Sequence, residues 1–305
     1  MDTIKVTGTS WRKDRGSLRQ IREQVFIIEQ GVPQELEWDE FDDDAEHFIA
    51  FIGNEVVGCA RLIDHKKIGR MAVLKPYRNQ DIGRKIIDHI KRYASQKRYT
   101  LLQLSAQCHA YEFYRRCDFN ACSTPYDDAN IPHIDMEHRV FSQSTQAFQY
   151  IYAHDSNTYT ANSLMEVKGY FDIALCQTHK KVLLHLEDLA HPISKDYGLI
   201  SKIKYLAKNN RHFKFQLLLG NYHPSHNDHE LFKLKARLPS FIEIKLNSEV
   251  NSNLWLFDDI AWLSTDHSQG KVCYADKGAT KNHTERFKRW WHSAKAIQSA
   301  RQLSI

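Results

Sequence analysis

No run of about 18 apolar residues occurs in this 305-residue chain, so no transmembrane helix is expected. The opening stretch MDTIKVTGTSWRKDRGS has no apolar segment behind a basic one, so no secretory signal is expected either. Six cysteines (Cys59, Cys108, Cys117, Cys122, Cys176 and Cys273) form no C-x-x-C pair and no zinc spacing. Reduced, mostly buried thiols and a cytoplasmic location follow as expectations. Heptads, internal repeats and low-complexity tracts are also missing. What is present is ordinary: 42% hydrophobic and 26% charged residues suffice for a substantial core, and the length suggests two domains.

Charge is divided unevenly. Residues 1–140 carry 21 Lys and Arg against 22 Asp and Glu, whereas residues 141–305 carry 21 against 15. The asymmetry predicts a boundary near the middle and leaves room for a polyanionic partner on the second half. Leu18, Ile21, Val25 and Ile28 recur at helical spacing within 17–30, and Gly31-Val32-Pro33 ends that helix. An acidic loop (35–46) precedes a hairpin over 48–63 that turns at Gly53-Asn54, then a strand over 68–74. A loop from Pro76 to Asp81 feeds a helix over 82–97 whose apolar face is Ile82, Ile86, Ile87, Ile90 and Tyr93. A strand (101–106) and a short helix (111–116) complete a mixed α/β pattern. Residues 141–164 read as a linker. Beyond it, strands and helices alternate again over 165–305, ending in a helix from Thr284.

Ile68-Gly69-Arg70-Met71-Ala72-Val73 followed by Tyr77-Arg78-Asn79-Gln80-Asp81-Ile82-Gly83 resembles the CoA-binding segment of the GNAT superfamily. His109-Ala110-Tyr111-Glu112-Phe113-Tyr114, ending at Phe119, resembles its second motif. Glu29-Gln30-Gly31-Val32-Pro33, Glu37-Trp38-Asp39 and Ile131-Pro132-His133 resemble the ElaA-type branch. Over residues 1–140 the resemblance implies a GNAT mixed sheet with flanking helices and N-acyltransferase activity with acetyl-CoA as donor. Met71, Ala72 and Val73 would line the pantetheine arm, with the Ala72 and Val73 amides toward the thioester. Arg78, Asn79, Gln80, Asp81, Ile82, Gly83 and Arg84 would hold the pyrophosphate through amides and charge. Asp81 departs from the family pattern, which has glycine there; its carboxylate either points to solvent or weakens CoA binding.

Tyr114 stands where the family carries the acid that protonates the departing thiolate. His109 is the candidate base, with a structural histidine as the other reading. Glu29, Glu37, Asp39 and His133 are candidates for holding the amine. Cys108 and His109 are adjacent, so on a strand they face opposite ways, which argues for direct transfer. The second α/β domain faintly resembles a phospholipase D-like half-domain. Aligning Asp258 with that family's catalytic Asp puts Asn251 and Asn253 at its His and Lys, so a catalytically degenerate domain is expected. His223, His226 and His229 read as a polar loop, and no metal is expected. The basic, Trp-bearing cluster Lys281, Arg286, Lys288, Arg289, Trp290, Trp291 and His292 leaves nucleic acid as an alternative partner. The expected function is acetyl or short-acyl transfer to a small-molecule or peptide amine; the alternatives are an acyl-CoA sensor and a nucleic-acid-associated protein.

Overall fold

In the computed structural model the chain is described over residues 3–140, 149–266 and 268–297. It divides into two compact units. One holds the described residues up to Ala106, then Phe113–Thr124 and those from His133 to 140; the other holds Gln107–Glu112, Pro125–Pro132 and the described residues from 149 onward. The elements before residue 141 run β1 (Ile4–Thr9), α1 (Trp11–Arg22), a π-helical stretch Glu23–Glu29, and α2 (Gln34–Glu37). Then follow β2 (Glu46–Ile52), β3 (Glu55–Ile63), β4 (Lys67–Val73), α3 (Ile82–Gln96), β5 (Leu101–Gln107), α4 (Tyr111–Arg115), β6 (Asn120–Ala121), β7 (Tyr126–Asp128) and β8 (Ile131–Arg139).

The first unit is built on one mixed sheet, ordered β1-β2-β3-β4-β5-β8-β6. β2, β3 and β4 form an antiparallel meander, and Gly53 at φ +60° makes the first turn. Helix α3 buries Ile82, Ile86, Ile87 and Ile90, the face its 3.6-residue periodicity predicts; Tyr93 is only half-buried. Two expectations shift. The first helix begins at Trp11 rather than Ser17 and changes to π-helical hydrogen bonding at Glu23. Residues 4–9, ahead of the first expected helix, supply edge strand β1.

Beneath the acidic loop lies a closed charge network of three arginines and three carboxylates. Arg22 pairs with Glu37 (Nε–Oε1 2.5 Å) and Asp42 (2.7 Å). Arg61 pairs with Asp39 and Asp42, both at 2.6 Å, and Arg70 reaches Glu37 at 3.0 Å and Asp39 at 3.2 Å. Trp11 and Trp38 lie against the Arg22 guanidinium at 5.4 and 4.8 Å. Arg22 and Glu37 are almost wholly buried, so each charge depends on the others for what water no longer supplies.

The second unit contains β9 (Thr158–Ala161), α5 (Leu164–Gln177), β10 (Lys181–Leu186), α6 (Tyr197–Asn209), β11 (Lys214–Leu219) and α7 (Glu230–Arg237). It ends with β12 (Ile242–Leu246), β13 (Asn253–Phe257), β14 (Ala261–Asp266), β15 (Gln269–Cys273), α8 (Lys277–Ser293) and β16 (Lys295–Ala296). Its sheet runs β16-β12-β11-β10-β13-β14-β15-β9, with β10, β11 and β12 parallel and the other pairings antiparallel. Alternate residues of β13 serve opposite faces. Leu254 and Leu256 meet Phe287, Trp290 and Trp291 of α8, while Trp255 and Phe257 meet Phe171 of α5.

The expected linker is therefore corrected. Residues 141–148 lie outside the described residues, but β9 pairs with β15, and Tyr150 is fully buried among Tyr159, Tyr170 and Tyr274. Asp155 ties this segment down by accepting from the amides of Tyr150 (2.5 Å) and Asn157 (3.1 Å) and from the Tyr159 hydroxyl (2.7 Å). A Ser- and Tyr-rich stretch looks like a connection because its hydroxyls are polar, yet its rings are large enough to build core. The last helix likewise begins at Lys277, seven residues before Thr284, capped by Asp276.

Candidate active site

β4 and β5 run parallel but pair only at Lys67↔Gln103 and Ile68↔Leu104, and then part. On its other side β4 stays bound to β3 as far as Val73, across a bulge at Arg70, whose φ is +47°. Leu74 N–H donates to Val57 O at 3.0 Å. Amides of successive strand residues point opposite ways, so the Val73 N–H faces the opened side and that of Ala72 faces β3. This corrects the expectation that both amides face the gap.

Beyond β4 the chain turns into α3 through Asn79 at φ +62° and Asp81 at φ +60°. Asn and Asp enter this left-handed region more readily than other non-glycine residues, so the turn survives without the family glycines. The first α3 amide to find a carbonyl is that of Lys85, on Asp81 O at 2.9 Å. The N–H groups of Ile82, Gly83 and Arg84 therefore end the helix open, with the positive end of its dipole behind them. Asp81 is exposed, and its carboxylate caps no amide. A Cβ on Gly83 would stand 3.2 Å from Met71 and Phe113, so glycine lets this helix end press onto β4. Gln80 is spent locally, its amide on Pro76 O at 3.2 Å.

The arginines are placed differently from expectation. Arg78 closes both Nη atoms on Glu29 at 2.7 Å and its Nε on Val73 O at 2.9 Å, fixing the end of β4 to the π-helical segment. The hydrogen bond from Arg78, with its charge, holds the Glu29 carboxyl below the ordinary glutamate range. Arg84 is well exposed, 4.0 Å from Asp88. Glu29, Glu37 and Asp39 are each engaged by arginines and are not free to receive an amine. Burial raises the Glu37 pKa against the pull of Arg22 and Arg70. Burial pushes Asp39 upward as well, but hydrogen bonds and charge from Arg61, with Arg70, outweigh it and leave Asp39 lowered. Both carboxylates are structural.

Tyr114 lies on α4 with its ring against Phe113 (4.9 Å) and Phe119 (6.2 Å) and its hydroxyl 3.6 Å from the Met71 Sδ of β4. Burial raises its pKa, so the phenol holds its proton through the neutral range. His109 is exposed on the one-turn 3₁₀ helix Cys108–Ala110 that follows β5, in a segment that groups with the second unit. His133 is half-buried on β8, on the face opposite Pro132 and Ile134. Cys108 is wholly buried, and burial raises its thiol pKa, which removes it as a nucleophile. The Met71–Tyr114 contact and the Arg70 bulge carry no sequence signal of their own.

Three features of the second half also resolve. Asp258 accepts the backbone amides of His179, Lys180 and Lys181 at 2.7–2.8 Å, a turn-holding task. His223, His226 and His229 accept backbone amides around the 3₁₀ turn Pro224–Asp228 and at the start of α7, and among the described residues no group of side chains could hold a metal ion. Trp290 and Trp291 pack on the core instead of forming an exposed stacking platform. No helix among the described residues is long and apolar enough to cross a membrane.

Parted parallel strands leading to an open helix N-terminus suit an extended ligand that ends in phosphates. Residues 14–140 match the family model described as Acetyltransferase (GNAT) domain. The Bacillus subtilis (strain 168) protein "Putative acetyltransferase BSU40680" is 32% identical over 142 residues, covering 45% of this chain and 95% of that protein. The uncharacterized N-acetyltransferase YjcF of the same strain is 34% identical over 120 residues (38% and 86%). Protein ElaA of Escherichia coli (strain K12) is 27% identical over 132 residues (41% and 86%). The chain belongs to the GNAT acetyltransferase family through its first half. Residues 170–303 match a separate model, Domain of unknown function (DUF7931).

Proposed function

We propose that this chain transfers an acetyl or short acyl group from acyl-CoA directly to a primary amine. The observation that carries the reading is the gap where β4 leaves β5, open at one end to the free amides of α3 and faced by the Val73 N–H. The residues fit an acyl-CoA substrate. Amides of 82–84 receive the pyrophosphate, Val73 N–H polarises the thioester carbonyl, and Met71 and Gly83 shape the wall. The neutral amine attacks the carbonyl carbon and a tetrahedral intermediate forms. The C–S bond then breaks, and the Tyr114 hydroxyl gives its proton to the thiolate. The ammonium proton leaves through water, which also returns a proton to Tyr114. Thiol release from acetyl-CoA, measured against amines, polyamines and peptide N-termini, tests the reading. Acceptor-independent release, or none with any acceptor, would reject it.

A second reading, an acyl-CoA sensor, is favoured by Asp81 alone. A carboxylate beside a dianionic pyrophosphate opposes binding by on the order of 1 kcal/mol. Asp81→Gly is expected to lower the CoA Kd roughly fivefold to tenfold at low ionic strength and less at high, since salt screens the repulsion. Glycine also relieves the left-handed backbone. Titration calorimetry at two salt concentrations checks this; equal Kd values for variant and wild type would show that Asp81 points away from the phosphates.

For the second half we propose a degenerate phospholipase D-like domain, supported by the turn-holding role of Asp258 and by asparagine at 251 and 253. The full chain is expected to hydrolyse no phosphodiester. Turnover abolished by Asp258→Asn in a still-folded protein would overturn that.

A further inference from the structure

Two pieces of the acyltransferase half, Gln107–Glu112 and Pro125–Pro132, group with the second unit. One face of α5 gathers them. Gly169, Asp172 and Cys176 recur on that face at helical spacing. A Cβ on Gly169 would stand 2.5 Å from Pro125 Cβ and 3.3 Å from Cys108 Sγ, so glycine is what lets the helix close on both. Burial raises the Cys108 thiol pKa, and the charges of Asp172 and Cys176 are near enough to add to it. The Glu112 backbone hydrogen-bonds to the Cys176 sulfur, whose own proton goes to Ile173 O at 3.1 Å.

Tyr111 is held from the same unit. Its ring is buried edge-on to Tyr150, with centroids 6.4 Å apart, and its hydroxyl donates to Gln149 O at 2.8 Å. Helix α4 is barely longer than one turn, and it is divided: Tyr111 and Glu112 belong with the second unit, Phe113, Tyr114 and Arg115 with the first. A helix this short moves as one piece. Whatever fixes Tyr111 and Glu112 therefore fixes the direction in which Tyr114 projects.

We propose that α5 is a positioning element for acyl transfer: through Gly169 and Cys176 it seats the turn Cys108–Glu112, and that seat sets where the Tyr114 hydroxyl points. The inference rests on Tyr114 being the proton donor, and it gives the second half a task that needs no chemistry of its own. Gly169→Ala in the full chain adds one methyl, and alanine is the better helix former, so α5 itself is not weakened. The methyl pushes α5 off Pro125. The backbone N–H resonances of residues 113–115 are expected to shift in the free chain, and kcat to fall about fivefold or more with CoA affinity unchanged. Pro125→Gly, which clears the space, should restore both. In a Tyr114→Phe background Gly169→Ala should cost nothing further, because both changes remove the same proton transfer. If Gly169→Ala does not fold, Cys176→Ala deletes the sulfur that the Glu112 amide reaches without adding bulk, and is read by the same resonances and the same non-additivity. Unmoved resonances, no rescue by Pro125→Gly, or an equal loss of kcat with and without the Tyr114 hydroxyl would each overturn the proposal. If the wild type transfers no acyl group while the resonances move and recover, the seating of Tyr114 stands and the transfer reading falls.

Discussion

Arg22→Met is expected to destabilise the first unit by about 3–5 kcal/mol, the cost typical of breaking a buried ion pair from one side. Methionine retains most of the volume between Trp11 and Trp38, so the loss is electrostatic. Arg22 gives hydrogen bonds to Glu37 Oε1, Glu37 O and Asp42 Oδ1 at 2.5, 2.7 and 2.7 Å. Without it, Arg70 alone faces Glu37 and Arg61 alone faces Asp42, with three carboxylates against two guanidinium groups. The unit then unfolds roughly 10 °C lower. Amide hydrogen exchange in β2, β3 and β4 during urea unfolding reads this unit apart from the other. Lysine should not rescue, because a point charge cannot serve both carboxylates and a carbonyl as the guanidinium fork does. The pH dependence has a definite sign. Glu37 already titrates above its ordinary 4.5 because it is buried, and losing Arg22 raises it further. Where the folded pKa is raised, stability is full below the unfolded value and is lost as pH rises through the folded one. The variant's deficit should therefore shrink as pH falls from neutral toward 5. A deficit below about 1 kcal/mol at pH 7 would mean that solvent reaches the network.

That network was not legible in the sequence, and the reason is physical. Residues 35–46 look like a solvated acidic run because composition says nothing of where the partners lie. Arg22 and Arg61 approach them from a helix and a strand far along the chain, and only the fold brings them together. The same blindness moved Glu29, Glu37 and Asp39 from amine binding to structure. Periodic elements were legible because periodicity reports burial directly: every isoleucine on the predicted face of α3 is buried. Helix α5 defeated that reasoning. It is apolar nearly all round, and its Gly169, where a Cβ would lie 2.5 Å from Pro125, looks like a breaker. A usable signal was present in Ser163, whose Oγ caps the Glu166 amide at 3.2 Å, with Glu166 reaching back to the Asn162 amide at 3.0 Å. At the site, the turn through Asn79 and Asp81 followed from residue type, whereas the Arg78–Glu29 clasp required coordinates.

Tyr114→Phe is expected to lower kcat by roughly tenfold to a thousandfold while leaving CoA affinity nearly unchanged. The substitution keeps the ring contacts with Phe113 and Phe119 and removes only the hydroxyl 3.6 Å from Met71. Met71 is on the strand that parts from β5, so the phenol is turned toward the strand proposed to carry the thioester. A thioether accepts only weakly, which leaves the phenolic proton available for a thiolate. Burial holds that proton on the oxygen at neutral pH, so no step is needed to charge the acid before turnover. A purely structural tyrosine would behave differently in one measurement. If the hydroxyl protonates the leaving group, the defect must depend on how basic that thiolate is. Acyl thioesters of more acidic thiols need less help, so the gap between wild type and Tyr114→Phe should narrow with such donors. A packing defect would lower all donors alike. Single-turnover rates across a series of acetyl thioesters supply the comparison. A constant ratio across the series, or an unchanged kcat in a reaction shown to be limited by chemistry, would remove Tyr114 from proton transfer and leave the thiolate to depart through water.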